Sequence, residues 1–129
     1  MSTRFSLART AQPEDIDELG HVNNAVYVRW IQDVAVAHWT ATASADDQAR
    51  WLWVVVRHEI DYRTATMPGE TVTLTTWVGT ARGARFDRHV SITGADGREK
   101  VAAMTSWALL DRASGRLARV PAGLIAQFQ

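Results

Sequence analysis

The sequence predicts an α+β protein in which a curved antiparallel sheet of about five to six strands wraps one long central helix. Three observations support this class. A single long segment near the start of the chain has helical periodicity. The segments after it are rich in β-branched and alternating residues, as strands are. Hairpin-type turns join these strands, so neighbouring strands are expected to run antiparallel.

The composition is typical of one globular domain that spans residues 1–129. Hydrophobic residues make up 47% of the chain and charged residues 22%. Lys+Arg and Asp+Glu both total 14, so neither nucleic acid nor an anionic membrane is expected as a partner. The chain has no cysteine, which excludes disulfides and a thiolate nucleophile. No signal-peptide pattern or membrane-spanning stretch is present, which predicts a cytoplasmic location.

The first part of the chain is expected to contain one strand and the helix. Residues 4–10 alternate well enough to predict a short strand, and a polar loop follows. From Asn24 to His38 the apolar residues recur three and four positions apart, which predicts a long helix. The small polar residues of 40–50 are expected to form the loop that leaves it.

The rest of the chain is expected to be strands. Five segments have the composition or the alternation of strands: 51–66, 71–80, 85–93, 100–111 and 116–120. A Pro-Gly-Glu turn at 68–70 separates the first two of these segments. The pair Asp96-Gly97 is a strong hairpin signal between the third and the fourth.

The polar loop before the helix contains the most informative residues. The stretch EDIDELGHVNN, residues 14–24, brings four carboxylates, a histidine and two asparagines to the start of an apolar helix. A helix N-terminus offers unsatisfied N–H groups and can stabilise an oxyanion. A carboxylate on the preceding loop could act on the same carbonyl carbon as a nucleophile or general base. A simple helix cap by Asn23 or Asn24 is the alternative interpretation.

The sequence DIDELGHVNNAVYVRWIQD resembles the D-x-D-x-x-G-H-V-N-N-x-x-Y pattern of hot-dog-fold acyl-CoA thioesterases of the 4-hydroxybenzoyl-CoA thioesterase type. The resemblance extends over most of the chain. It implies that Asp17 is the catalytic carboxylate and that the N–H of Asn24 polarises the thioester carbonyl. His21 either takes part directly or holds the loop by a hydrogen bond. The resemblance assigns three further residues to substrate binding: Gly20, Asn23 and Tyr27.

The sequence departs from the related plant acyl-carrier-protein thioesterases. Those enzymes have an asparagine two residues after the aspartate and a glutamate in the second strand, where this chain has Leu19 and Ala65. The catalytic network of that branch is therefore not carried over. This leaves Asp17 as the principal carboxylate and favours CoA over a carrier protein. Glu14 and Asp15 are interpreted as solvated loop charges.

A CoA thioester carries phosphates, which need cations near the mouth of the pocket. The candidates are arginines near one predicted hairpin and at the end of the second strand: Arg82, Arg85, Arg88 and Arg63. Exposed arginines can also serve solubility alone. No metal is predicted, because His58 and Glu59 face opposite ways in a strand and His89 has no second ligand at a suitable spacing. His38, on the apolar face of the helix, is expected to be a core histidine.

The resulting interpretation is an acyl-CoA thioesterase without a cofactor, which forms a homodimer or a tetramer of two dimers. Six tryptophans agree with a large interface or pocket. Two alternatives stay open. The first is a hot-dog dehydratase. Such enzymes resemble one another in having a carboxylate within the helix and a catalytic histidine before a Pro-Gly pair. In this chain the carboxylate well inside the helix is Asp33, and Met67 rather than a histidine precedes Pro-Gly. A non-catalytic acyl-CoA-binding module would have the same pocket without turnover.

Overall fold

The computed structural model describes residues 3–129, which form one antiparallel sheet and three α-helices. The strands are β1 (Phe5–Thr10), β2 (Trp51–Tyr62), β3 (Thr71–Arg82), β4 (Arg85–Thr93) and β5 (Glu99–Asp111). The helices are α1 (Asn24–Thr42), α2 (Ala45–Arg50) and α3 (Ala122–Ala126). The strand order is β1-β3-β4-β5-β2, and every pair is antiparallel. The predicted α+β hot-dog class is confirmed, with five strands in the sheet.

The main core lies between α1 and the inner face of the sheet. Alternate residues of each strand point to this face, so the apolar members of the pattern are buried. Fully buried apolar side chains come from the helix and from three strands: Ile31, Val34, Val72, Leu74, Ile92 and Val101. Each side chain of this kind contributes roughly 1.5–3 kcal/mol when it leaves water, so the helix is held mainly by its buried face.

The helix α1 begins at Asn24 because the preceding residue caps it. The side-chain oxygen of Asn23 accepts a hydrogen bond from the N–H of Ala25 at 2.8 Å. Along α1 five buried residues recur three or four positions apart or side by side on one face, as the sequence predicts: Tyr27, Trp30, Ile31, Val34 and His38. Val26 and Ala35 are buried as well. Val36 is 54% exposed. Neither α1 nor another helix within residues 3–129 is long and apolar enough to cross a membrane.

The segment 40–50, predicted as a loop, is largely helical. The helix α1 continues to Thr42, and α2 begins after a short break. The hydroxyl of Ser44 accepts a hydrogen bond from the N–H of Asp47 at 3.1 Å and so caps α2. Acidic residues in its first turn and Arg50 in its last turn also favour a helix. The prediction was wrong because these capping signals were interpreted only as polar loop composition.

The C-terminal segment also differs from the prediction. Residues 116–120 form an isolated bridge between Leu117 and Leu110, and no further strand follows in the part of the chain that the structure describes. The short helix α3 comes next and buries Leu124, and Phe128 lies fully in the core behind it. The second strand is shorter than predicted, because it ends at Tyr62.

β2 forms one edge of the sheet and pairs with β5 alone. Leu52, Val54 and Val56 on this strand are 38%, 39% and 51% exposed. The register shifts between Val55 and Arg57, so Val56 is the extra residue of a β-bulge. A 12-residue edge strand with exposed apolar side chains is a surface on which another strand can pair.

Candidate active site

The loop before α1 folds back on itself and places Asp17 beside His21. Ile16 and Val22 form an antiparallel bridge across the reversal. The N–H of Asp17 donates to the carbonyl of His21, and the N–H of Gly20 donates to the carbonyl of Asp17, both at 3.0 Å. Gly20 has φ of 84°, a left-handed conformation that glycine adopts without strain. The glycine is therefore required by the turn that brings the two side chains together.

The carboxylate of Asp17 is partly open to solvent, with 22% of the side chain exposed. Its Oδ1 accepts a hydrogen bond from the N–H of Leu19 at 2.9 Å and lies 4.0 Å from Nδ1 of His21. The second distance is too long for a hydrogen bond but short enough for a favourable charge interaction when His21 is protonated. Within residues 3–129 these contacts involve Oδ1 only, which leaves Oδ2 for a substrate or a water.

The first turn of α1 presents one backbone donor without a partner. The N–H of Ala25 is taken by the side chain of Asn23, and the N–H of Val26 donates to the Asn23 carbonyl at 2.9 Å. No hydrogen bond within residues 3–129 uses the N–H of Asn24. Such an N–H, at the positive end of a 19-residue helix, is a donor for an anion or a polarised carbonyl.

A cleft of about 160 Å³ opens at this helix end. Its walls come from the loop, from the first turn of α1 and from the end of β2: His21, Val22, Asn24, Tyr27, Tyr62, Arg63, Thr64 and Ala65. The cleft therefore brings together four of the residues singled out in the sequence. Asp17, Gly20 and Asn23 lie on the adjoining loop and helix cap and are not among the residues that line it.

The wall formed by 62–66 is anchored to α1. The hydroxyl of Tyr27 donates to Oγ1 of Thr66 at 2.9 Å and accepts from the Thr66 N–H at 3.1 Å. Thr66 is fully buried, and its carbonyl accepts from the N–H of Val22 at 2.9 Å. The amine of Lys100 donates to the carbonyl of Ala65 at 2.9 Å. These contacts set the width of the cleft.

Sequence reasoning missed Tyr62 and Thr64. The hydroxyl of Tyr62 lies 3.4 Å from the carbonyl of Asn24, and its ring contacts Tyr27 at a centroid distance of 5.7 Å. Burial and the neighbouring Tyr27 raise the pKa of Tyr62, so its hydroxyl keeps its proton. The sequence contains no local signal for these contacts, because they depend on where β2 ends relative to the helix.

The family model described as the thioesterase-like superfamily matches residues 11–128. The chain belongs to the thioesterase-like superfamily. The family that the sequence resemblance indicated is therefore confirmed. No curated protein sequence matches the chain.

Three solved structures share the fold of this superfamily member. A 1,4-dihydroxy-2-naphthoyl-CoA thioesterase from Synechocystis, Slr0204, is 15% identical with a TM-score of 0.82, and the match covers 96% of each chain. An acyl-ACP thioesterase from Bacteroides thetaiotaomicron is 20% identical with a TM-score of 0.85; the match covers 97% of this chain and 52% of that one. The chain thus spans about half the length of that enzyme. SAV2348 from Staphylococcus aureus, solved in complex with CoA, is 17% identical with a TM-score of 0.84, over 98% of this chain and 82% of that one.

Asp15 of this thioesterase-like protein is not the solvated charge that the sequence suggested. It is 5% exposed, and its Oδ1 accepts from the guanidinium of Arg29 at 3.0 Å. Its Oδ2 accepts from the N–H of Gln12, and its carbonyl accepts from the N–H of Asn23. The expectation was wrong because the 3-10 turn at Pro13–Asp15 directs this side chain inward. Asp15 is a structural residue that holds the loop against α1.

Three of the four candidate arginines have exposed side chains. Arg63 lines the cleft and lies 3.4 Å from Glu99. Arg82 and Arg85 face each other at the β3–β4 turn. The separation from the cleft can be counted along β5. Arg85 pairs with Ala108 of β5 and the cleft residue Tyr62 pairs with Val101, so the two lie seven residues apart along this strand (108 − 101). Within one protomer this turn is therefore roughly 23 Å from the cleft.

Arg88 lies in the core, so its expected exposure at a pocket mouth is wrong. It is 9% exposed, and its Nη1 donates to Nδ1 of His38 at 2.8 Å and to Oγ1 of Thr76 at 3.1 Å. The position follows from strand parity, because Phe86, Arg88 and the apolar residues after it point to the inner face of β4. The expectation of a core histidine at His38 is confirmed, since it is 1% exposed.

No metal centre is evident in residues 3–129, where no group of three or more His, Asp or Glu side chains could hold an ion. His58 donates to or accepts from Oγ1 of Thr105 at 2.9 Å, whereas Glu59 pairs with Arg57 on the other face of β2. The ring of His89 stacks on Trp77 at a centroid distance of 5.6 Å. Each of these side chains therefore has a structural partner.

Proposed function

We propose that the protein hydrolyses acyl-CoA thioesters to a free carboxylic acid and CoA, with Asp17 as the reacting carboxylate. The observation that carries this proposal is the partnerless N–H of Asn24 at the cleft, next to the loop that bears Asp17. A thioester carbonyl bound there would receive a hydrogen bond from the helix end. Removing one oxyanion donor of this kind costs about 3–4 kcal/mol in other enzymes.

Asp17 can act in two ways. As a general base, it takes a proton from water while the water oxygen bonds to the carbonyl carbon; the C–S bond then breaks, and the CoA thiolate takes up the proton. As a nucleophile, its oxygen displaces CoA and forms an anhydride, which water then hydrolyses to the acid. The unengaged Oδ2 and the 22% exposure of the side chain suit both routes.

His21 supports the same chemistry from the wall of the cleft. Its Nδ1 lies 4.0 Å from Oδ1 of Asp17 and 3.4 Å from the carbonyl of Val22. With Nδ1 carrying a proton, the imidazole holds the loop and stabilises the negative charge of Asp17. Gly20 and Asn23 fix the turn and the helix cap, and the Tyr27 ring forms the apolar floor.

CoA is the proposed thiol carrier. SAV2348, which shares the fold, was solved in complex with CoA. Arg63 at the cleft rim is an exposed cation for the phosphates, and the remote Arg82 and Arg85 can reach a cleft only from a partner subunit.

The proposed assembly is a homodimer formed through the edge strand β2, with a tetramer of two such dimers as the higher assembly. Pairing of two copies of β2 would continue the sheet and cover Leu52, Val54 and Val56. Val36 on α1 is also exposed. Edge strands without such cover are normally short or charged, and this one is neither along its first half.

A thiol-release assay across a panel of acyl-CoA thioesters tests the function. We expect turnover of at least one thioester, with equal amounts of acid and CoA. Calorimetric binding of the same thioesters separates the alternatives. Tight binding without release of thiol would favour the binding module, and loss of water from a 3-hydroxyacyl-CoA with the thioester intact would favour the dehydratase.

A further inference from the structure

A second cavity, of about 190 Å³, lies towards the other end of α1. Four of the six tryptophans line it, together with an aromatic and an aliphatic side chain: Trp39, Trp51, Trp53, Trp107, Phe86 and Val36. Val36 is twelve residues along α1 from Asn24 (36 − 24), so the cavity is roughly 18 Å from the cleft in the same protomer. We call it the tryptophan cavity.

The tryptophan cavity contains a buried positive charge without a carboxylate partner. Arg88 lines it, and no ion pair within residues 3–129 includes this guanidinium. Its two acceptors, His38 and Thr76, are neutral. The Thr76 acceptor is a hydroxyl, and burial together with the Arg88 charge lowers the pKa of His38 to about 4. Burial lowers the pKa of Arg88 only to about 10, so the guanidinium stays charged at neutral pH. A buried charge is expensive unless an opposite charge accompanies it.

Trp107, another residue that lines the cavity, has a second unsatisfied donor. Its indole Nε1 is the one buried side-chain nitrogen or oxygen of residues 3–129 that has no hydrogen-bond partner. Buried tryptophan N–H groups normally find an acceptor. Two residues that line this cavity, Arg88 and Trp107, thus have donors without an anionic acceptor.

The other charged residues of the tryptophan cavity do not neutralise Arg88. Asp87 is the one carboxylate among the lining residues that the structure describes, and it accepts from the hydroxyl of Ser106 at 2.7 Å. Arg112 also lines the cavity and donates to the carbonyls of Ala49, Gln48 and Trp51. Two cations against one carboxylate leave the walls with a net charge of +1 (2 − 1).

We propose that the tryptophan cavity binds the far end of an acyl group that terminates in a carboxylate. Arg88 and the indole N–H of Trp107 hold the carboxylate, and the tryptophan rings pack around the apolar part of the chain. The proposal rests on the thioesterase function proposed above and names its substrate class: acyl-CoA thioesters with an ω-carboxylate on an apolar body.

The proposed dimer through β2 would bring the two sites together. Trp51 and Trp53, at the start of β2, line the tryptophan cavity, whereas Tyr62, at its end, lines the cleft. Antiparallel pairing of two β2 strands about a two-fold axis places the start of one strand beside the end of the other. In that proposed dimer, the acyl chain of a thioester bound in one cleft would run towards the tryptophan cavity of the partner subunit.

Ligand binding can be measured apart from catalysis. Titration of the whole protein with hexanoate and with hexanamide, followed by tryptophan fluorescence, compares an anionic probe with a neutral one of the same length. Since hydrogen bonds to a charged partner are strong, hexanoate is expected to bind about 10–100-fold more tightly. Arg88→Met should abolish this preference, and Arg88→Lys should keep part of it. Equal binding of the two probes to the wild type, or no binding, would overturn the proposal.

Two further variants protect this test from a folding defect. Trp107→Phe removes the indole N–H donor and part of the ring but keeps an aromatic side chain, so hexanoate should lose several-fold more affinity than hexanamide. Arg116→Met, at an exposed arginine, is the matched control and should leave both affinities unchanged. An unchanged hexanoate affinity in a folded Trp107→Phe variant would contradict the assigned carboxylate position.

Turnover of adipoyl-CoA and hexanoyl-CoA completes the test. We expect kcat/KM of the wild type to favour adipoyl-CoA by at least about 10-fold, through KM more than kcat. Hydrolysis of both thioesters with equal kcat/KM would refute the substrate class and leave the proposed function standing. A preference for hexanoate without hydrolysis of either thioester would support the carboxylate site and refute the thioesterase function instead.

Discussion

The hydroxyl of Tyr27 and the backbone N–H and hydroxyl of Thr66 are joined by two hydrogen bonds, of 3.1 Å and 2.9 Å. Tyr27 belongs to the first turns of α1, and Thr66 belongs to the segment after β2. These two hydrogen bonds therefore fasten the two walls of the cleft to each other at a buried point. This relationship makes the shape of the cleft sensitive to one hydroxyl group.

Replacement of Tyr27 by phenylalanine should leave the Thr66 N–H buried without an acceptor. We expect a loss of about 1–3 kcal/mol in the free energy of unfolding, measured by urea denaturation. KM for acyl-CoA should rise, because the wall at residues 62–66 is released. Tyr62→Phe is the control and should cost less, since this residue is 44% exposed and its hydroxyl makes only a 3.4 Å contact. Equal losses of unfolding free energy in the two variants would mean that the hydrogen bonds between Tyr27 and Thr66 do not stabilise the protein more than the Tyr62 contact does.

Replacement of Asp17 by asparagine should lower kcat by about 10²–10⁴-fold, because it removes the proton acceptor and the nucleophilic charge. Substrate binding should be kept, since the asparagine oxygen can still accept from the Leu19 N–H. Glu18→Gln is the matched control, because Glu18 is exposed on the same loop. Asp15 is unsuitable as a control because it is buried and paired with Arg29. A folded Asp17→Asn variant with near-wild-type turnover would falsify the mechanism.

Replacement of Arg63 by glutamine should raise KM for acyl-CoA by several-fold and have little effect on a pantetheine thioester, which lacks the nucleotide phosphates. Arg63 is exposed at the rim of the cleft, so its removal should not unfold the protein. Arg98→Gln, at an exposed turn, serves as the control. Equal changes in KM for the two substrates would exclude phosphate binding by Arg63.

The stability of the protein should rise between about pH 4 and pH 6.5 because of His38. Burial and the Arg88 charge lower the pKa of His38 to about 4, below its ordinary value of 6.5. The unfolded state therefore binds more protons in this window, and stability is lost as the pH falls through it. The full effect is on the order of 3 kcal/mol. Urea denaturation should show a smaller pH dependence in His38→Asn, which keeps a hydrogen-bond acceptor but does not titrate; an identical slope would rule out His38 as the source.

Replacement of Val54 by lysine on β2 should weaken the proposed dimer, because a charge on an edge strand opposes pairing with another strand. Sedimentation should show a wild-type dimer at sub-micromolar concentration and a largely monomeric variant with reduced turnover. Thr73→Lys, at an exposed position on β3, is the control. A fully active wild-type monomer would remove both the dimer and the shared arrangement of the two sites.

The parts of the site that depend on local sequence were predictable. The cap at Asn23, the turn at Gly20 and the start of α1 follow from short-range preferences of these residues. The contacts of Tyr62 were not predictable, because they depend on the length and register of β2. Pairing of distant strands is set by the whole core and leaves no local mark in the sequence.

The burial of Arg88 could have been predicted from the alternation of residues along its strand. In the segment 85–93 it has the same parity as Phe86, Val90 and Ile92, which are apolar. Strand alternation alone therefore predicts an inward-facing cation. The partners of that cation could not be predicted, because His38 lies 50 residues away and meets it only through the packing of α1 on the sheet.

The bulge at Val56 lets one strand serve two sites. Trp51 and Trp53 pair with Asp111 and Leu109, and the even-numbered Tyr62 pairs with Val101, another odd-numbered residue of β5. Without the extra residue, the two ends of β2 would turn their side chains to opposite faces of the sheet. Deletion of one residue here would thus turn Tyr62 and the two tryptophans to opposite faces of the sheet. The number of residues in this part of β2 is therefore constrained, even at positions where the side chain itself can vary.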